Sequence, residues 1–217
     1  MNDPTHLDPH ALRPTTSTYI ETQNQKTYNI ENSNVTINTV LSQPEYADSA
    51  EKMMAVESFS KEYYQLLVTC DADVFAHNYV TVPLYRALGK LYVPEEILSR
   101  CSSLSEEGIA ELKTFPALIC MENEELRGIA GPYQQVVYAY ITRIKKEYQV
   151  IKVAFHPIGV FQQKILCEKK YAIYFDLDMD CAITDLNHSA WSVHKVNLFE
   201  AFNEAGLGYL PHPSKWR

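Results

Sequence analysis

The chain has 217 residues, 46% of them apolar and 21% charged, enough for one sizeable domain with a real core. Its formal net charge is −8, which argues against general nucleic-acid binding, because such proteins carry a basic face or domain. The five cysteines are widely spaced and include no Cys-x-x-Cys pair, so they read as reduced thiols of a cytoplasmic protein rather than a disulfide frame or zinc site. The first residues do not resemble a signal peptide, and no apolar run nears the roughly 20 residues that span a bilayer.

Residues 1–18, rich in Pro, Thr and His, read as a disordered tail. Residues 19–42 turn Thr/Asn/Gln-rich, and Tyr28-Asn-Ile30 and Val35-Thr-Ile-Asn-Thr-Val40 flank a turn at Asn32-Ser-Asn34. This reads as a β-ribbon too polar to stand alone, so it needs a second copy or a partner protein. A single α+β domain is expected over 43–210, with a helical segment over 45–113. Within it, residues 45–68 read as one helix, with Met53, Val56, Tyr63 or Tyr64, and Leu67 near the helical spacing of a core face, and 70–83 as a loop. Short helices follow near 84–90, after Pro94, and from Ser103 or Ser105, with Ser103 and Glu106 at capping-box spacing.

The sheet is expected over 116–196. Residues 117–121 form a short central strand. Residues 135–144 and 149–155 form a hairpin apolar on both sides, as in a sheet covered on both faces or curled into a partial barrel. Pro157-Ile-Gly159 is expected to end the hairpin and a helix to start at Val160. A final strand spans 189–196. Asn197 then caps a closing helix that stops at Gly206, the closing unit being 197–206. The fold class is therefore α+β: a helical segment, a small antiparallel twisted sheet or partial barrel, and a closing C-terminal helix.

Several residue groups bear chemistry. Glu122 and Asn123 follow an apolar strand directly, where a rigid element can aim a general base or metal ligand. Asp176, Asp178 and Asp180 are spaced two apart and could take a divalent metal, although Cys181 and Asn187 stand where a calcium loop needs Gly and an acidic ligand. His188 and His194 bracket Trp191. Tyr138, Tyr140 and Arg143, with Lys145, place aromatic and basic groups on one hairpin, as on sheets that bind single strands or nucleotides. No glycine-rich phosphate loop and no Gly-x-Ser-x-Gly elbow is present.

The stretches Glu62-Tyr-Tyr-Gln-Leu-Leu-Val-Thr69, Thr81-Val-Pro83, Arg86-Ala-Leu88, Phe115-Pro-Ala-Leu118, Glu122-Asn123, Tyr138-Ala-Tyr-Ile-Thr142, Ile151-Lys-Val153, Gln162-Gln163 and His188 to Gly206 resemble a loose group of uncharacterised bacterial proteins. The segment 27–41 resembles short ribbons that precede modules in bacterial conflict and phage-defence systems. No activity and no catalytic residue comes with either resemblance. The expectation is a non-catalytic protein-binding, adaptor or regulatory module of the bacterial cytoplasm, acting through the ribbon and the sheet residues Glu122, Asn123, Tyr138, Tyr140, Arg143, His188 and Trp191. One alternative is a metal-dependent hydrolase or nuclease using Glu122 with Asp176, Asp178 and Asp180. Another is a small-ligand, for example nucleotide, sensor with its pocket beside Glu122, Tyr140 and Trp191. No cofactor is expected beyond that divalent metal.

Overall fold

A computed structural model describes residues 49–89, 93–126 and 128–214. The tail over 1–18 and the ribbon over 19–42 lie outside the described residues. The helices are α1 (Ser49–Glu57), α2 (Val74–His77), α3 (Glu95–Cys101), α4 (Glu106–Lys113), α5 (Lys164–Cys167), α6 (Lys169–Ala172) and α7 (Leu198–Glu204). The strands are β1 (Tyr64–Thr69), β2 (Tyr79–Pro83), β3 (Ala117–Met121), β4 (Gln135–Glu147), β5 (Val150–Gln162) and β6 (Ala190–His194). The six strands form one sheet in the order β2-β5-β4-β3-β1-β6. The fold is α+β with a curled, half-barrel sheet.

The sheet is mixed: β1 and β3 run parallel, and every other neighbouring pair is antiparallel. The curl is visible in the backbone. The chain leaving β2, at one edge, reaches β6 at the other, where Ala87 bridges Trp191 and the Leu88 N–H donates to the Trp191 carbonyl at 2.8 Å. That contact covers an edge strand, which would otherwise offer unpaired donors and acceptors.

Both faces carry buried side chains. On one, Tyr64, Leu66, Leu118, Val136, Tyr138 and Phe161 pack against Val56 and Phe59, Leu166 and Phe175, and Phe199 and Phe202 of α7. On the other, Leu67, Ile119, Val137, Val82, Val153 and Trp191 are all buried. The Gln65 side chain on this face donates to the carbonyls of Leu112 and Phe115, satisfying two groups where α4 leads into β3.

Several sequence expectations are corrected. The helix expected over 45–68 ends at Glu57. The Ser60 hydroxyl accepts from the Glu62 and Tyr63 N–H groups and turns the chain. Tyr64–Thr69 is then a strand buried at all six positions, whose pairing with β3 and β6 outweighs its compatibility with a helix. Met53 is exposed, not on a core face. The loop expected over 70–83 contains α2 and β2, and β2 shows the alternating burial of a half-covered strand. With β1 and β2 inside it, the span 45–113 is not purely helical.

β5 does not end at Phe155. It runs through Pro157 and Gly159 to Gln162, with register shifts at Tyr138/Ala139 and Ile141/Arg143. A bulge admits the proline. Gly159 lets Leu210 close down, since a β-carbon there would lie 2.7 Å from Leu210 Cδ2. The helix expected from Val160 accordingly starts at Lys164. Of the two caps expected for α4, Ser105 is the one observed, its hydroxyl accepting from the Gly108 N–H at 3.2 Å.

Other expectations hold. β3 is interior, and Pro94 precedes α3. The Asn197 side chain caps α7 by accepting from the Phe199 N–H. Gly206, at φ +74°, ends α7 with the paired Leu207→Phe202 and Gly206→Asn203 backbone bonds of a Schellman stop.

Candidate functional site

The parallel pairing of β1 and β3 brings their carboxyl ends together, so the Glu122 N–H donates to the Thr69 carbonyl at 2.8 Å. The Glu122 carboxylate accepts from the Ser189 hydroxyl, whose oxygen accepts from the Cys70 N–H at 3.2 Å. Asn123 is buried, and its N–H donates to the Leu186 carbonyl at 2.7 Å. Its amide oxygen accepts from Gln163 Nε2 at 2.8 Å. The fully buried Gln163 side chain also pairs with Met121, donating to its carbonyl at 2.7 Å and accepting from its N–H at 3.1 Å, as a neighbouring strand would. Cys167 lies 3.6 Å from Asn123 Nδ2, and burial raises its thiol pKa. Glu122 and Asn123 therefore clamp the loop 186–189 to the sheet.

The aromatic candidates divide by burial. Tyr138 is buried against Phe59 and Phe202. Trp191 is buried and donates to Gln65 Oε1 at 3.1 Å. Neither offers a contact surface, because helices or strands cover both faces where they sit. Tyr140 is nearly buried and stacks on His156, with ring centroids 5.2 Å apart. Arg143 is exposed beyond the second register shift of β4. His188 is half-buried near Asp185.

A cavity of about 720 Å³ lies beside the end of β6, lined by residues of the 169–185 segment and by His194, Lys195, Val93 and Pro94. Local sequence builds its wall. Asp176 sits at φ +56°, a left-handed position that Asp tolerates better than most residues. The Tyr64 hydroxyl donates to the Phe175 carbonyl at 2.6 Å and ties this turn to the core. Asp178 accepts from the Asp180 N–H at 2.8 Å, and Asp180 pairs with Lys169. Lys195 pairs with Glu96 at 2.8 Å, and the lysine with the Tyr63 hydroxyl holds that carboxylate down to about 2. Asp185 is half-buried, and burial raises its carboxyl pKa.

His194 is 5% exposed at this wall and stacks on Tyr64. Its Nδ1 lies 3.4 Å from Asp176 Oδ2 and its Nε2 2.9 Å from Ser192 Oγ. This connectivity matches a Ser-His-Asp relay. Ser192, however, is buried and is not among the lining residues, so a molecule in the cavity meets the imidazole and not the hydroxyl. The trio is a latch that holds the Asp176 turn against β6.

Asp176, Asp178 and Asp180 thus share one cavity but are directed at different partners, and Glu122 is not among its lining residues. Among the described residues no group of three or more His, Cys, Asp or Glu is placed to hold a metal ion. Tyr140 and Trp191 are not among the cavity's lining residues either. Ser192 is absent from the sequence-based candidates, although alternation along a strand puts it on one face with His194. No protein-family model, curated protein or solved structure matches this chain.

Proposed function

We propose that the chain is a binding module, an adaptor that takes a basic, partly apolar segment of a partner protein in the cleft beside β6. The cleft itself carries this reading: it combines Asp176, Asp178 and Asp185 with Ile173 and Ile183, which are 72% and 64% exposed. Its two lysines are already paired, Lys169 with Asp180 and Lys195 with Glu96. The other three carboxylates make no ion pair with lysine or arginine among the described residues. Lysine and arginine side chains carry an apolar stem and a charged head, which suits such a lining. The five unpaired cysteines fit a reducing compartment such as the cytoplasm.

Selection of a random peptide display library against the full chain tests this. Recovered peptides should be basic with interspersed apolar residues, and should lose binding to a variant carrying Asp176→Asn, Asp178→Asn and Asp185→Asn. Acidic winners, or winners indifferent to the variant, would count against it. The cleft volume also falls within the roughly 300–1,000 Å³ of small-molecule sites. A thermal shift with free organic amines, coupled with no peptide enrichment, would favour a small cationic ligand instead.

A further inference from the structure

The β4–β5 hairpin, at the β2 edge of the sheet, has the opposite character. From Arg143 to Lys152 the chain carries four cations (Arg143, Lys145, Lys146 and Lys152) and one carboxylate, Glu147, in a protein of net charge −8. Register places Lys145 opposite Lys152, and Arg143 opposite Ala154, whose other neighbour is Tyr79. Alternation puts Arg143, Lys145 and Lys152 on one sheet face, in rows about 7 Å apart. Lys145 and Lys152 are held in place: Lys152 Nζ stands 5.2 Å from the Tyr79 ring centroid, and Tyr79 stacks on His77 at 3.8 Å. Glu147 braces Lys145 at 2.7 Å and Lys152 at 3.5 Å.

Two rings stand out at the hairpin tip. Tyr148, in the turn, is 91% exposed. The Leu84 N–H donates to the Gln149 carbonyl at 2.8 Å, which brings Tyr85, 79% exposed, to the same end. The Arg86 guanidinium lies 5.4 Å from the Tyr85 ring. Rings open to solvent beside fixed cations are what unpaired bases and phosphates require, stacking on the one and ion-pairing with the other. A duplex hides its base faces, and an acidic peptide gives the rings nothing to stack on.

We infer that this hairpin face binds single-stranded nucleic acid, with Arg143, Lys145 and Lys152 on the phosphates and Tyr148 and Tyr85 on the bases. Fluorescence anisotropy of the full chain with labelled oligothymidylate and oligouridylate of about 16 nucleotides tests it. The expected Kd is on the order of 10⁻⁴–10⁻⁶ M near physiological salt. Three to four phosphate contacts, at a slope of about −0.7 each, should weaken binding roughly twenty- to fifty-fold between about 50 and 200 mM salt. Lys145→Glu with Lys152→Glu should abolish most of the binding and flatten that slope. Tyr148→Ala should weaken it by about five- to 150-fold. Glu147→Gln should tighten it by releasing both lysines. All these side chains lie at the surface or its rim, and far-UV circular dichroism checks that the variants stay folded. Comparing the two oligonucleotides distinguishes DNA from RNA. The inference is overturned if no anisotropy change appears at protein concentrations of about 10⁻⁴ M, if the lysine or tyrosine variants bind as the parent does, or if polyglutamate competes as well as the oligonucleotides.

Discussion

Tyr138→Phe should stabilise the protein. Tyr138 is fully buried between Phe59, Phe202 and the β5 backbone, and its hydroxyl finds no hydrogen-bond partner among the described residues. Burial also pushes its pKa far above the ordinary tyrosine value, so the group stays neutral throughout the working range. A buried hydroxyl without a partner costs about 1–3 kcal/mol of desolvation. Deleting the oxygen leaves a void no larger than about 10–15 Å³, which at about 24 cal/mol per Å³ costs about 0.3 kcal/mol. The net gain is about 1–2.5 kcal/mol. For a domain of this size each kcal/mol moves Tm by about 2–4 °C, so Tm should rise by about 2–10 °C. Urea unfolding followed by circular dichroism gives the free energy, and a thermal melt gives the shift. A less stable Phe variant would refute the reasoning, because it would mean that the hydroxyl makes a bond in the folded protein.

Four further substitutions probe other parts of the structure. Gln163→Leu strips hydrogen bonds from the Met121 N–H, the Met121 carbonyl and Asn123, and should cost roughly 3 kcal/mol in urea unfolding; a cost near zero would show that the clamp is dispensable. Ser105→Ala removes the α4 cap and should cost about 1 kcal/mol by the same measurement, whereas Ser103→Ala should be neutral. Asp185 has a folded pKa raised above its ordinary 3.8 by burial, so the folded state holds its proton more tightly than the unfolded chain. Its contribution is therefore fullest below that ordinary value and is lost as pH rises through the raised one. Asp185→Asn should flatten the fall in urea midpoint over that interval, and an unchanged profile would show that another group controls it.

The parts legible in the sequence are those in which local chemistry and tertiary packing agree. The apolar run Ala117–Met121, the β4–β5 hairpin, and α7 between its Asn197 cap and Gly206 stop all declare themselves through a few residues. Tyr64–Thr69 does not, because its apolar pattern serves either a helix or a strand buried on both faces, and only β3 and β6 decide between them. Pro157 and Gly159 read as an end because the bulge and the Leu210 contact that accommodate them are long-range. The site followed the same rule. Asp176, Asp178 and Asp180 were visible as carboxylates. Their separation onto His194, a backbone amide and Lys169 depends on a loop folding against β6. Tyr138 looked like a surface aromatic until the helices over its face were in place.

The most direct test of the binding-module account is chemical-shift mapping on the ¹⁵N-labelled chain titrated with a basic, apolar peptide recovered by selection. The account predicts amide shifts concentrated in residues 169–185 and 193–195, the walls of the cleft, and their loss when Asp176, Asp178 and Asp185 are replaced together by asparagine. Shifts that leave those residues unmoved, or that persist in the triple variant, would contradict it.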